Sequence, residues 1–171
     1  MKLTILTTGG TIDKTYNEFD GSLSNARSVL DTILGSLRLP DVFVRLEAVM
    51  SKDSLEMDDQ DRERILHAVR SALPTSDAVI VVHGTDTLSK TGNVLHQELE
   101  NLEHPVILTG AMRPYEFRDT DALQNVTEAL LAARLLPAGV YVAMHNRVLT
   151  FPGVFKDRQA LTFRSEAEGE L

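Results

Sequence analysis

Two threonine hydroxyls stand where chemistry could be done. Thr7-Thr8-Gly9-Gly10-Thr11-Ile12 follows the apolar run Leu3-Thr4-Ile5-Leu6, and His83-Gly84-Thr85-Asp86-Thr87 follows Asp77-Ala78-Val79-Ile80-Val81-Val82. In the first stretch two glycines let the backbone bend without a Cβ penalty and approach a ligand, which sets the Thr11 hydroxyl just beyond a strand end. A neutral alcohol attacks poorly unless a base or a charged network helps its proton away. The candidates for that help are Tyr16, Asp86 and a lysine, foremost Lys156 in the segment after the last long strand. A lysine beside a carboxylate can belong to a proton relay. Backbone N–H groups of the glycine-flanked loops can stabilise an oxyanion, often the largest single contribution to acyl transfer. These parts suit hydrolysis of an amide or ester through an acyl-threonine and leave the substrate open.

The elements that must position these residues alternate between two periods. After the first strand, Ser24 or Asn25 can cap a helix bearing Val29, Ile33, Leu34 and Leu37, ended by Pro40. Val42 to Met50 reads as the second strand, closed by Ser51-Lys52-Asp53-Ser54. Asp58 and Asp59 open a second helix with Ile65, Leu66, Val69 and Leu73 as its buried stripe. The run from Asp77 to Val82 is apolar throughout, as a strand covered on both faces requires. A third helix carries Leu88, Leu95 and Leu99 inward, and Pro105-Val106-Ile107-Leu108-Thr109 is the fourth strand. A fourth helix from about Thr120 presents Leu123, Val126, Leu130 and Leu131, and Pro137 closes it. Ala138 to Met144 is the fifth strand, which Asn146-Arg147 turns back through Val148-Leu149-Thr150-Phe151.

This alternation predicts an α/β fold with a doubly wound, mostly parallel sheet, right-handed crossovers and helices on both faces. Residues 1–163 are read as a single domain and 164–171 as a charged, frayed tail. The segments after the first four strands should then meet at one edge of the sheet: the Thr11 turn, the Asp53-Ser54 loop, the Thr85-Asp86 loop and the Ala111 loop.

Composition narrows the function classes. The chain has 171 residues, 43% of them hydrophobic and 25% charged, which is ordinary for a globular protein. It has no cysteine, so disulfides, thiolate catalysis and cysteine metal sites are absent. Its five histidines are scattered without the close helical spacing of paired metal ligands. With 17 basic and 25 acidic residues the net charge is −8, so nucleic acid and anionic membranes are poor partners. The N-terminal residues lack the pattern of a signal peptide and the apolar runs are too short to span a bilayer, so the expected compartment is the cytoplasm.

Thr8-Gly9-Gly10-Thr11-Ile12, His83-Gly84-Thr85-Asp86-Thr87 and Gly110-Ala111-Met112-Arg113-Pro114, in that order, resemble the bacterial-type L-asparaginases and glutaminase-asparaginases over nearly the whole chain. The resemblance implies hydrolysis of L-asparagine to L-aspartate and ammonia, with no metal or organic cofactor. It makes Thr11 the nucleophile, Thr85 and Asp86 the second threonine and its aspartate, and Lys156 the lysine completing that group. It assigns the catalytic phenol to Tyr16. Among substrate-binding residues it implies Gly10, Ser54 for the α-carboxylate, Asp86 for the α-ammonium, and the backbone around Thr85 and Ala111 beside the amide to be cleaved. A homo-oligomer is implied, in which a neighbour helps close the site.

The chain departs from the family pattern in three places. Tyr16 lies nearer the first threonine than usual, with Phe19 closer to the expected place; Leu55 and Glu56 replace a polar residue and an aspartate; and the second, C-terminal domain is missing from the sequence. Other readings stay open beside the enzyme. One is a non-catalytic amino-acid-binding or regulatory module, and another is an asparaginase-like subunit of a tRNA-dependent amidotransferase. For single residues the plainer readings are that Thr11 bonds within a turn, Asp86 caps the third helix, Lys156 and Tyr16 are solvated, and His83 packs at a strand end.

Overall fold

Residues 1–25 and 28–168 are described by a computed structural model, in which ten strands and four α-helices alternate along the chain. The strands are β1 (Lys2–Gly9), β2 (Lys14–Tyr16), β3 (Leu23–Asn25), β4 (Phe43–Lys52), β5 (Ala78–Val82), β6 (Pro105–Thr109), β7 (Gly139–Met144), β8 (Arg147–Thr150), β9 (Val154–Asp157) and β10 (Thr162–Ser165). The helices are α1 (Leu30–Ser36), α2 (Asp59–Ala72), α3 (Leu88–Glu98) and α4 (Ala122–Leu135). The main sheet has the order β4-β1-β5-β6-β7-β8, parallel except for β8, which folds back on β7. Two antiparallel pairs, β2-β3 and β9-β10, stand apart from it.

Side-chain alternation along the strands splits the core in two. Leu6, Val79, Val81, Val106 and Leu108 face Ile65, Leu66 and Val69 of α2 and Leu88 and Leu95 of α3. Leu3, Ile5, Ile80, Val82 and Ile107 face Leu30 and Ile33 of α1 and Ala122, Val126 and Ala129 of α4. The sheet is thus covered on both faces, and β5 and β6 are buried at every position.

Four expectations require correction. Ser24 and Asn25 do not cap α1, because they pair with Thr15 and Lys14 in the β2-β3 hairpin. No side chain caps α1; its boundary residue Val29 is held by the Asp13 carboxylate, which accepts the Val29 N–H at 2.9 Å. Leu123 and Leu131 lie on the outer side of α4, which meets the sheet through alanines at 122, 129, 132 and 133 with Asn125 and Val126. Arg164 and Ser165 do not fray, since they pair with Phe155 and Val154; residues 169–171 of the expected tail lie outside the described residues.

The fourth correction is topological. The chain steps toward one edge from β1 to β4 and toward the other from β4 to β5, β5 to β6 and β6 to β7. α1 lies on the face opposite α2 and α3, so those three crossovers share one hand. α4 shares α1's face but spans a step in the direction of α3's, and so has the opposite hand. Parallel crossovers are right-handed in about 98% of cases, which makes the α4 crossover the left-handed one. The long segment between β6 and α4 provides the chain needed to change faces, and the alanine-rich inner side of α4 lets it sit close to the sheet.

No helix among the described residues is long and apolar enough to cross a membrane. The α3 layer is tightly filled: a Cβ on Gly92 would lie 2.0 Å from Phe151 Cζ. Gly92→Ala should therefore overpack this face and destabilise the protein by about 1–3 kcal/mol, read as a lower urea midpoint at unchanged m.

Candidate functional site

The parallel strands have the order second, first, third, fourth, fifth, so the chain reverses direction in the sheet between β1 and β5. Ligands in open α/β sheets bind outside the carboxyl ends of the strands at such a point. Here those ends are the Thr11 turn and the loop His83 to Thr87. Gly10, at φ 88°, is in a backbone region that favours glycine, and a Cβ placed there would lie 2.5 Å from Gly84 Cα. A Cβ on Gly84 would in turn lie 2.7 Å from Ser54 Oγ. The Thr11 turn thus meets the Thr85 loop backbone to backbone, and that loop packs on the Ser54 side chain.

Hydrogen bonds hold this junction. Thr8 Oγ1 donates to the Val82 carbonyl at 3.0 Å, tying β1 to β5. Thr87 Oγ1 donates to the Ser54 carbonyl at 2.8 Å. Gly10 N–H donates to the Lys52 carbonyl at 3.0 Å, and Tyr115 N–H reaches the Ile12 carbonyl from the loop after β6. Ser54, Thr85 and Ala111 are buried, while Thr11 and Asp86 are half-buried.

The polar centre is a bonded chain. Lys156, on the β9-β10 hairpin, donates from Nζ to Thr85 Oγ1 at 2.8 Å and to Asp86 Oδ1 at 3.0 Å. Its side chain is only 14% exposed, so the pair is far better shielded from water than a surface ion pair. Lys156 is therefore not a solvated lysine. Asp86 does not cap α3, where Thr87 is the N-terminal boundary residue and no side chain bonds the first turn. Arg158, from the turn of the same hairpin, adds a second cation 3.3 Å from Asp86 Oδ1.

The remaining residues singled out in the sequence fall differently. Thr11 opens a short 3-10 turn directly after Gly10, beside the Thr85 loop. Tyr16 lies on β2 with its side chain along its own hairpin, 61% exposed, and is not among the groups bonded to Thr85, Asp86 or Lys156. Its hairpin is nonetheless fastened to the site. Lys14 Nζ lies 2.6 Å from Asp53 Oδ2, and Tyr16 N–H donates to Glu116 Oε2 at 2.9 Å. The hydrogen bond from Lys14 holds the Asp53 carboxyl below its ordinary range, with the Leu55 amide assisting. Asp53 also forms the N-terminal cap of the turn that carries Ser54.

Several positioning groups escaped the sequence reading. The Asp121 carboxylate accepts from the amides of Met112 and Arg113 and from Asn125 Nδ2, and His145 Nε2 donates to it at 2.7 Å. Burial pulls the Asp121 pKa up, but the bonds from His145, Met112 and Arg113 outweigh it and hold the value at about 2. Asn125 Nδ2 also bonds the Gly110 carbonyl, so the Ala111 loop is clamped from behind. The signal available in the sequence was an aspartate at a helix start, which ordinarily reads as a cap.

His83 packs and bonds at the end of β5, as its isolation from other metal-ligand types suggested. Its Nδ1–H donates to the Gly84 carbonyl at 2.8 Å, which leaves Nε2 to accept from Thr91 Oγ1 at 2.9 Å. Burial lowers its pKa to about 4 from an ordinary value of 6.5, and Arg62 pushes it the same way.

Residues 2–170 match the family described as Asparaginase, N-terminal. The chain is 32% identical to the L-asparaginase of Thermococcus kodakarensis over 149 residues, covering 87% of this chain and 45% of that protein. The solved structure of the thermostable L-asparaginase from Thermococcus kodakarensis superposes with a TM-score of 0.88 at 33% identity, covering 96% of this chain and 51% of the other. A subunit of the glutamyl-tRNA(Gln) amidotransferase of Pyrococcus abyssi is also 32% identical, over 85% of this chain and 34% of its own length. The chain spans about half the length of the L-asparaginases it matches.

The His83 environment sets a pH dependence. Because its pKa is lower folded than unfolded, the unfolded chain binds the extra proton between about pH 6.5 and 4. Stability from this group is full above pH 6.5 and is lost as pH falls toward 4. In urea titrations across that window His83→Gln should flatten the slope by up to about 1.4 kcal/mol per pH unit.

Proposed function

As this chain belongs to the asparaginase family, we propose that it hydrolyses L-asparagine to L-aspartate and ammonia through an acyl-threonine. The observation that carries this reading is Lys156 bridging Thr85 Oγ1 and Asp86 Oδ1, next to the turn that bears Thr11. In this reading Thr11 Oγ attacks the side-chain amide carbon of asparagine. The Thr11 proton passes to Thr85 Oγ1 as Thr85 releases its own to Lys156 Nζ and Lys156 releases one to the Asp86 carboxylate, so neither hydroxyl is left charged. The same relay runs backward to protonate the departing nitrogen. The new C–O bond forms, the C–N bond breaks, and ammonia leaves. Water, deprotonated along the same chain, then opens the ester, releasing aspartate and restoring Thr11.

Substrate placement follows from the same loops. Asp86 faces the α-ammonium, Ser54 the α-carboxylate, and the backbone at Gly10, Thr85 and Ala111 the amide being cleaved. Clamping of the Ala111 loop by Asp121 and Asn125 supports an oxyanion site, because preorganised donors need no rearrangement when charge develops. Tyr16 is exposed on the β2-β3 hairpin, and a neighbouring subunit in a homo-oligomer is the means we assign for closing that hairpin over Thr11.

A second reading has specific support. Relatives named as subunits of glutamyl-tRNA(Gln) amidotransferases are as similar to this chain as an L-asparaginase is, which favours an amide-hydrolysing subunit acting with other chains. The two readings share the site and part on substrate. Purified protein that releases ammonia from asparagine faster than from glutamine supports the first; release from glutamine alone supports the second. If neither amide yields ammonia but asparagine raises the melting temperature, the protein is an amino-acid-binding module.

The hydroxyl and the relay are separable by mutation. Thr11→Val should remove nearly all ammonia release while shifting the urea midpoint little. Lys156→Met should lower kcat by about 10²–10⁴-fold, the range for loss of general acid–base help. A Lys156→Met protein that keeps its kcat in a coupled ammonia assay would overturn the relay.

A further inference from the structure

Asp86 holds two cations on one oxygen. Lys156 Nζ lies 3.0 Å and Arg158 Nη2 3.3 Å from Asp86 Oδ1. The two are not equivalent. Lys156 is largely buried and also bonds Thr85, so it cannot leave Asp86 without breaking the chain through the site. The Arg158 side chain is 71% exposed where it meets Asp86. The backbone that carries Arg158 is held: the Asp157 carboxylate accepts the amides of Gln159 and Ala160 at 2.9 Å and lies 2.7 Å from Arg164 Nε. A fixed turn thus presents a long, exposed guanidinium to the carboxylate of the site.

The charge balance around Asp86 is two positive against one negative. An α-amino acid brings a third cation, and Asp86 is the anion that faces it. Like charges crowded on one carboxylate repel, strongly so once substrate excludes water. The exposed guanidinium is the one free to yield.

We propose that Arg158 determines substrate specificity by standing on Asp86 in the place of a substrate α-ammonium. An α-amino substrate has to displace it. A monoamide of a dicarboxylic acid without the amino group, of the succinamate class, binds with Arg158 in place and gains from the surplus positive charge. The site therefore discriminates weakly between asparagine and amides that lack the α-amino group. This rests on the asparaginase reading for the group that faces Asp86.

L-Aspartate and succinate differ only in the α-ammonium, so their binding isolates its contribution without requiring turnover. By titration calorimetry, Arg158→Gln should bind aspartate about two- to five-fold more tightly than the parent protein, the scale of an exposed ion pair. Succinate affinity should stay the same or weaken, and Arg158→Lys should keep the parent's preference. An aspartate-to-succinate ratio unchanged in Arg158→Gln overturns the proposal, as does failure of both proteins to bind either ligand. Absence of ammonia release from asparagine would count against the hydrolase reading alone, because the calorimetric ratio does not depend on catalysis.

Discussion

The contact between the backbones of Gly10 and Gly84 is the constraint on which the rest of the site depends. At the end of β1 and β5 a Cβ on Gly10 would collide with Gly84, and one on Gly84 would collide with Ser54. That closeness brings the Thr11 turn beside the Thr85 loop and packs Ser54 against Gly84. Two strands that diverge into helices on opposite faces leave a crevice at their ends, and the glycines keep it narrow.

Charged groups around the crevice serve mostly to hold loops. Asp121 binds the Met112 and Arg113 amides, Asp53 takes Lys14 from the β2-β3 hairpin, and Asp157 shapes the turn that carries Arg158. Each is a carboxylate accepting backbone or cationic donors, an arrangement that stabilises the ionised form. Asp86 differs because its partners, Lys156 and Arg158, are side chains facing the site. Asp86 is thus held by an exchangeable pair of side chains rather than by backbone amides.

Much of the fold was legible in the chain. The strands at 78–82 and 105–109 are apolar at nearly every position because both faces are covered, whereas a strand with one wet face would alternate. The start of α2 was equally plain from Asp58 and Asp59, which suit the positive end of a helix, and in the structure Asp58 and Asp61 form a reciprocal cap there. The sequence misled where two solutions share one pattern. Ser24 and Asn25 are good helix caps and also good hairpin residues, and the pairing with Thr15 and Lys14 decided between them. The leucines of α4 recur at helical spacing, but alanines fit the narrower gap to the sheet, so Leu123 and Leu131 face outward. The hand of the α4 crossover leaves no local trace at all.

For the site, the sequence alone determined which residue types follow which strands: Thr11 after β1, Ser54 after β4, Thr85 and Asp86 after β5, and Ala111 after β6. Strand ends are local features, written in apolar runs that stop at glycine or polar residues. Tertiary structure alone decided what touches what. Lys156 lies some seventy positions from Thr85 and Asp86, and the contact exists because β9 and β10 fold back over the sheet edge. Arg158 comes to Asp86, and His145 to Asp121, the same way. Such pairings are set by the path of the whole chain, because a side chain's type fixes what it can bond and only the packed backbone fixes what comes within reach.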